Sequence, residues 1–302
     1  MYIVCMPYLL LQLHGYIQSY YNKVYNRAYF IAIAGMMALL LVCNYSGILS
    51  HTARNLPGIL TDYLVYFLPF ALAYLLQWIC YKEPQSYFSK GWFWIIVLVA
   101  PAMFVGRINI SFIDSNYKNL ADAIAQYLCK AIVLVVPVIV YWYIKDRKFL
   151  PLYGIKPVKN LHLYFILWLL MIPLVILSCV QPAFLAVYPK ATVVAGLSGL
   201  HDIGKILLFE IVYGIDFLSI EFFFRGFLVI GLARLCGHAA IIPAACFYCC
   251  IHFGKPAPEA ISSFFGALLL GILSYNSKSI RGCFLVHVGI AWLMELAAFI
   301  AH

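Results

Sequence analysis

"HLYFILWLLMIPLVILSCVQPAFLA", residues 162–186, runs without a single Asp, Glu, Lys or Arg. A bilayer span needs about 20 mostly apolar residues, and this stretch supplies them with room to tilt. The same criterion marks helices near 28–46, 59–81, 90–107, 123–144, 204–234, 239–252, 258–275 and 281–300. Backbone polar groups in lipid must be satisfied within the chain, and no ten-residue alternation of a membrane barrel is present. The expected fold class is therefore all-α, a polytopic transmembrane helical bundle of about eight or nine spans. Composition agrees: 65% of the 302 residues are hydrophobic and only 10% charged, against roughly 25% charged in a soluble domain.

The charges are placed as membrane topology requires. Lys23, Arg27, Lys82, Lys90, Lys145, Arg147, Lys148, Lys156, Lys159, Arg234, Lys278 and Arg281 fall at alternate turns. The other turns carry Arg54, Arg107 and Lys118, offset by Asp114 and Asp122, and then Lys190 and Lys255. The positive-inside rule then predicts an integral multi-pass protein of the cell (cytoplasmic) membrane with its N-terminus cytoplasmic. The net charge of +9 suits loops facing anionic lipid, and no nucleic-acid-binding pattern occurs. The 23 Tyr and 6 Trp suit interfacial belts. The ten Cys are scattered through apolar runs with no CxxC pair, and are read as small buried hydrophobes. "MYIVCMPYLLLQLHG", residues 1–15, lacks the basic start and small-residue cleavage site of a signal peptide, so a short interfacial helix is expected. The basic loop 145–160 divides N-terminal membrane helices, 1–144, from a C-terminal half, 161–302, that holds almost every unusual polar residue. The sequence carries no signal of oligomeric state.

Three places in that half stand out. "SIEFFFRGFLVIGLARLCGH", residues 219–238, sets Glu221 and Arg225 one helical turn apart among Phe, Leu and Ile. His252 closes "FYCCIH" and His287 sits in "RGCFLVHVGIAW". A charge at mid-bilayer costs roughly 2.5 to 3.5 kcal/mol even on the lenient insertion scale, so intramembrane ionisable residues usually face a bundle interior or cavity. Glu221 and His252 are nearly equidistant from the turn at 235–238, and a rise of about 1.5 Å per residue puts them level. The same count places His287 shallower by roughly one to two helical turns. A carboxylate and an imidazole that share a water can take its proton, and a second imidazole can donate to the oxyanion formed at an amide carbonyl. Peptide hydrolysis is the matching reaction, with Glu221 and His252 activating water, His287 as oxyanion donor, and Arg225 pairing with Glu221 at i, i+4. Taken singly, each residue also has a structural reading: an ion pair for Glu221 with Arg225, a helix-end histidine for His252, a packing residue for His287. Pro258 and Glu259 mark a helix start. Ser263, Ala267 and Gly271 form a stripe that lets a neighbouring helix approach closely.

These residues resemble the CAAX protease and bacteriocin-processing (CPBP, or Abi) family of intramembrane proteases. Its pattern is EExxxR, then an aromatic with xxxH, then His followed four residues later by Asn or Asp. The matches are "IEFFFR", Tyr248 to His252, and "HVGIA" from His287, over roughly residues 160–300. The resemblance implies a helical membrane endopeptidase, a hydrolase that acts near the C-terminus of prenylated proteins or processes bacterial peptides by Glu/His water activation. Its partners would be a peptide or lipidated protein substrate and the lipid bilayer. No cofactor is expected, and a divalent metal, the older interpretation of the same residues, is the alternative. Two positions depart from the pattern: Ile220 stands at the first Glu and Ala291 at the final Asn or Asp. Either Glu221 takes the first Glu's role, or Asp216, one turn earlier on the same face, supplies the carboxylate, or the chain is a non-cleaving immunity or peptide-binding protein. A rhomboid-like reading of "GLSG", with Ser198 as nucleophile, rests on four loosely constrained residues in a predicted loop. A transporter would show inverted repeats and paired broken helices, which the sequence lacks.

Overall fold

The computed structural model describes residues 6–49, 56–81, 86–111, 119–158 and 160–301. The loop charges Arg54, Lys82, Asp114, Lys118 and Lys159, and the first five residues of the expected N-terminal helix, lie outside that set. Every regular element among the described residues is helical. In chain order these are α1 (Met6–Val24), α2 (Arg27–Tyr45), α3 (Gly58–Cys80), α4 (Gly91–Ile108), α5 (Leu120–Tyr141), α6 (Leu161–Ser178), α7 (Ile203–Glu221), α8 (Ile241–Cys250), α9 (Ala257–Ser277) and α10 (Arg281–Ala301), with short helical turns between them. Wider π-helical turns extend α5 over Trp142–Asp146 and α7 over Phe222–Gly231.

Among the described residues seven helices are long and apolar enough to cross a membrane: α2, α3, α4, α5, α6, α9 and α10. The two other expected spans are α7, which carries Lys205, Glu210, Asp216 and Glu221, and α8, whose 10 residues rise only about 15 Å. The chain is an integral membrane protein. Where the local chemistry is legible, it explains the helix ends. Asn26 accepts from the Tyr29 N–H at 3.0 Å to open α2, and Asn119 accepts from the Asp122 N–H at 2.8 Å to open α5. The expected start of α9 at Pro258 is met one residue early, with Glu259 in the first turn.

The helices pack into two compact units. One comprises Met1–Leu9, Gly106–Phe223 and Ser279–His302. In it α7 packs on α5 and α10, and α10 on α6. The α10–α6 approach depends on glycine. A Cβ on Gly282 would fall 2.5 Å from the Tyr164 ring, and one on Gly289 2.6 Å from Trp168 Nε1. Gly282→Ala is expected to lower stability by about 1–3 kcal/mol through overpacking, read as a lower melting temperature in detergent, whereas alanine at the open Gly35 leaves it unchanged. The basic loop is tied onto the same unit: Ser279 Oγ donates to the Lys156 carbonyl at 2.6 Å and the Ile280 N–H to the Gly154 carbonyl at 3.0 Å.

The other unit comprises Leu10–Val105 and Phe224–Lys278. Its centre is aromatic: Phe247 lies 5.1 Å from Phe224, 5.5 Å from Phe70 and 5.8 Å from Phe104, ring centre to ring centre. α8 is buried along its whole length, between α3 and α9. The small-residue stripe on α9 does what its spacing predicts, since a Cβ on Gly271 would lie 3.0 Å from Ile241 of α8.

Candidate active site

Four acidic side chains are buried among the described residues: Asp146, Asp216, Glu221 and Glu295. All four belong to the first unit, and their partners separate them. Asp146 accepts from the Tyr153 hydroxyl at 2.5 Å and holds the basic loop. Glu295 on α10 accepts from the Lys190 and Ala191 N–H groups at 2.8 and 3.4 Å, capping the short helix Lys190–Ala195. Asp216 is gripped by Arg107, whose two terminal nitrogens donate to its two oxygens at 2.8 and 2.5 Å, and Ser219 Oγ adds a bond at 3.2 Å. Such two-pronged pairs are strong and geometrically fixed. Arg107, expected to be a loop charge offset by Asp114 and Asp122, is instead only 6% exposed.

Glu221 differs from these three. It is fully buried, and its Oε1 lies 2.8 Å from His287 Nδ1. The residue count that made His287 shallower is thereby corrected: the two side chains are level and in contact. The π-helical turns that follow Glu221 explain the error, because wider turns advance less per residue than the α-helical rise used for the count. A carboxylate only accepts, so Nδ1 carries the proton, and Nε2 donates as well when the ring is an imidazolium. The Phe217 ring packs 4.5 Å from the imidazole, centre to centre, and fixes its plane.

The second unit holds the other three expected residues. The guanidinium of Arg225, 2% exposed, lies 4.3 Å from the centre of the Tyr248 ring, close enough for a cation–π contact. His252 lies in the turn after α8, where its Nδ1 is 3.0 Å from the Tyr248 carbonyl. A carbonyl can only accept, so Nδ1 is protonated and Nε2 of the neutral ring is left as the acceptor. The contact with this backbone carbonyl sets which ring nitrogen of His252 carries the proton.

The sequence match coincides with this set. Residues 202–293 match the family model of the type II CAAX prenyl endopeptidase Rce1-like proteins. The match shows the expected resemblance over the segment that holds Asp216, Glu221, Arg225, Tyr248, His252 and His287, and an Rce1-like, CAAX-type intramembrane protease is the kind of function it supports. The chain has no match among curated proteins or solved structures. The two departures from the pattern are visible in the first unit. Ala291 is buried in an apolar cluster with Ala195, Phe209 and Tyr213, and Ile220 is half-buried on α7.

Among the described residues no three His, Cys, Asp or Glu side chains are grouped to hold a metal ion. Ser198 lies exposed in an irregular segment. Arg107 and Ser219 are the residues that sequence reasoning missed. Arg107 stands 109 residues from Asp216, and only the oddity of a lone charge beside an apolar run hinted at it.

Proposed function

We propose that the chain hydrolyses peptide bonds of membrane-associated proteins, with prenylated CAAX-type C-termini as the substrate class. Glu221 and His252 take the proton of a water, whose oxygen bonds to the scissile carbonyl carbon. His287, in its imidazolium form, donates from Nε2 to the resulting oxyanion. Collapse breaks the C–N bond as the proton returns to the departing amine. Arg225 is the counter-charge that orients Glu221, Tyr248 sets the His252 tautomer, and Asp216 is a positioning residue held by Arg107. The observation that carries this reading is the buried contact of Glu221 with His287 inside the segment that matches the Rce1-like model. Asp146, Asp216 and Glu295 meet a hydroxyl, a guanidinium and backbone N–H groups, whereas the fully buried Glu221 carboxylate meets an imidazole, a group able to move a proton.

His252→Ala tests the assignment. Cleavage of a prenylated CAAX peptide by the purified chain is expected to fall by about 100-fold, within the range of a lost general base, with the melting temperature unchanged and no response to chelator in the wild type. Cleavage at the wild-type rate would remove His252 from the mechanism.

The replacement of two pattern positions by Ile220 and Ala291 favours one second reading, a non-cleaving membrane protein that binds a peptide or lipidated tail. It predicts substrate binding without turnover in the wild type, and binding that survives Glu221→Gln.

A further inference from the structure

The second unit contains a cavity of about 320 Å³ that the proteolytic reading does not use. It lies at the ends of helices. Its walls come from the last turn of α1 (Lys23, Val24), the end of α3 (Gln77, Tyr81), the turn Ser86–Ser89, and the connection between the π-helical turns and α8, including His238. Asn26, which opens α2, donates to the carbonyl of Cys80, which closes α3, at 2.7 Å. Two apolar spans therefore meet their limit at this level, where hydrocarbon gives way to headgroups.

The polar walls are fixed by hydrogen bonds among themselves. Gln77, 1% exposed, donates to the Tyr29 hydroxyl at 3.0 Å and to the Ala239 carbonyl at 2.8 Å, and accepts from the Tyr87 hydroxyl at 2.7 Å. Tyr81 donates to the Val24 carbonyl. Among the described residues the one charged side chain lining the cavity is Lys23, and Lys278 stands behind its wall. Lys23 stands on the rim, exposed. Lys278 Nζ lies 3.7 Å from the centre of the Tyr275 ring, which packs 4.2 Å from the His238 ring. Burial, and then the nearby charges of Lys23 and Lys278, hold the His238 imidazole below its ordinary range. Burial pushes the Cys236 thiol and the Tyr81 hydroxyl each up to about 12, so neither contributes a negative charge. No Asp or Glu lines the cavity among the described residues.

We propose that this cavity binds the phosphate group of a phosphate ester, carried either by an anionic lipid or by a small soluble molecule. Its volume is at the lower end of small-ligand pockets, roughly 300 to 1,000 Å³, which suits a headgroup rather than a whole lipid. Basic pockets between helices at a membrane boundary take anionic headgroups because the cations meet the phosphate where water is scarce. The ammonium groups of Lys23 and Lys278 favour an anion over a neutral solute. The inference is independent of the proposed proteolysis and involves none of its residues.

The test uses the purified full-length chain in neutral detergent and native mass spectrometry. Wild type, Lys23→Gln and His238→Gln are titrated with dioleoyl phosphatidylglycerol, dioleoyl phosphatidylcholine and glycerol 3-phosphate. Preferential retention of phosphatidylglycerol, weakened about fivefold by Lys23→Gln as expected for one interfacial charge, identifies a lipid as the source. Saturable binding of glycerol 3-phosphate with the same sensitivity identifies a soluble ester. Equal retention of the two lipids without binding of glycerol 3-phosphate, or variants that bind as the wild type does, overturns the proposal. Lys23 is exposed, so its substitution leaves the fold intact. The melting temperature in the absence of ligand checks this, and the proposal stands or falls on Lys23→Gln even if His238→Gln does not fold.

Discussion

Glu221→Gln is expected to lower kcat/KM for a prenylated CAAX peptide by about 1,000-fold while the protein remains folded. Gln keeps the shape of the side chain, and its Oε1 can still accept from His287 Nδ1, which lies 2.8 Å away in the wild type. What is lost is the negative charge and the ability to take a proton. A positioned general base contributes roughly 100- to 10,000-fold, and a 1,000-fold loss corresponds to about 4 kcal/mol of transition-state stabilisation. KM is expected to change little, because the carboxylate acts on water rather than on the bound peptide. Parallel measurement of kcat, KM and melting temperature separates this outcome from simple unfolding. Turnover at the wild-type rate would move the base elsewhere, with Asp216 as the other buried carboxylate on α7.

The second large effect distinguishes that possibility. Asp216→Ala leaves the Arg107 guanidinium buried without the carboxylate that now binds it at 2.8 and 2.5 Å. Breaking a buried pair in this way costs about 3–5 kcal/mol, which would appear as a large drop in melting temperature in detergent or as loss of folded protein. Replacing both partners with apolar residues of similar size, Arg107→Met with Asp216→Leu, is expected to recover most of that stability, because such exchanges are often neutral or better. If Asp216 only positions α7, the double variant cleaves at a rate within a few-fold of the wild type. If Asp216 is the proton acceptor, the double variant is folded and inactive.

The helices were legible in the sequence because hydropathy in a membrane protein is a direct physical requirement. The expected spans 28–46 and 281–300 fall within one residue of α2 and α10. The expected span 162–186 stops early, at Ser178, because Cys179 and Gln181 precede a separate short helix that starts at Pro182. The candidate site residues stand out in the sequence because each is a polar group within an apolar run. Their pairings do not. Glu221 meets a histidine 66 residues away, and Arg225 stacks on Tyr248, contacts that no local periodicity encodes. The residue count sets His287 too shallow relative to Glu221, because nothing in "FFFRGFLVIG" announces π-helical turns. Arg107 and Asp216 look like two separate charges in the sequence, 109 residues apart, and are joined only by their ion pair.

Hydrolysis itself is the most direct measurement. The purified chain, incubated with a prenylated CAAX peptide in water enriched in heavy oxygen, is analysed by mass spectrometry beside Glu221→Gln. The account predicts that the wild type releases a C-terminal fragment and leaves one heavy oxygen in the new carboxylate of the prenylated product, and that Glu221→Gln does so at a rate about 1,000-fold lower. An intact peptide after prolonged incubation with folded wild-type protein, or equal product from both proteins, would contradict it.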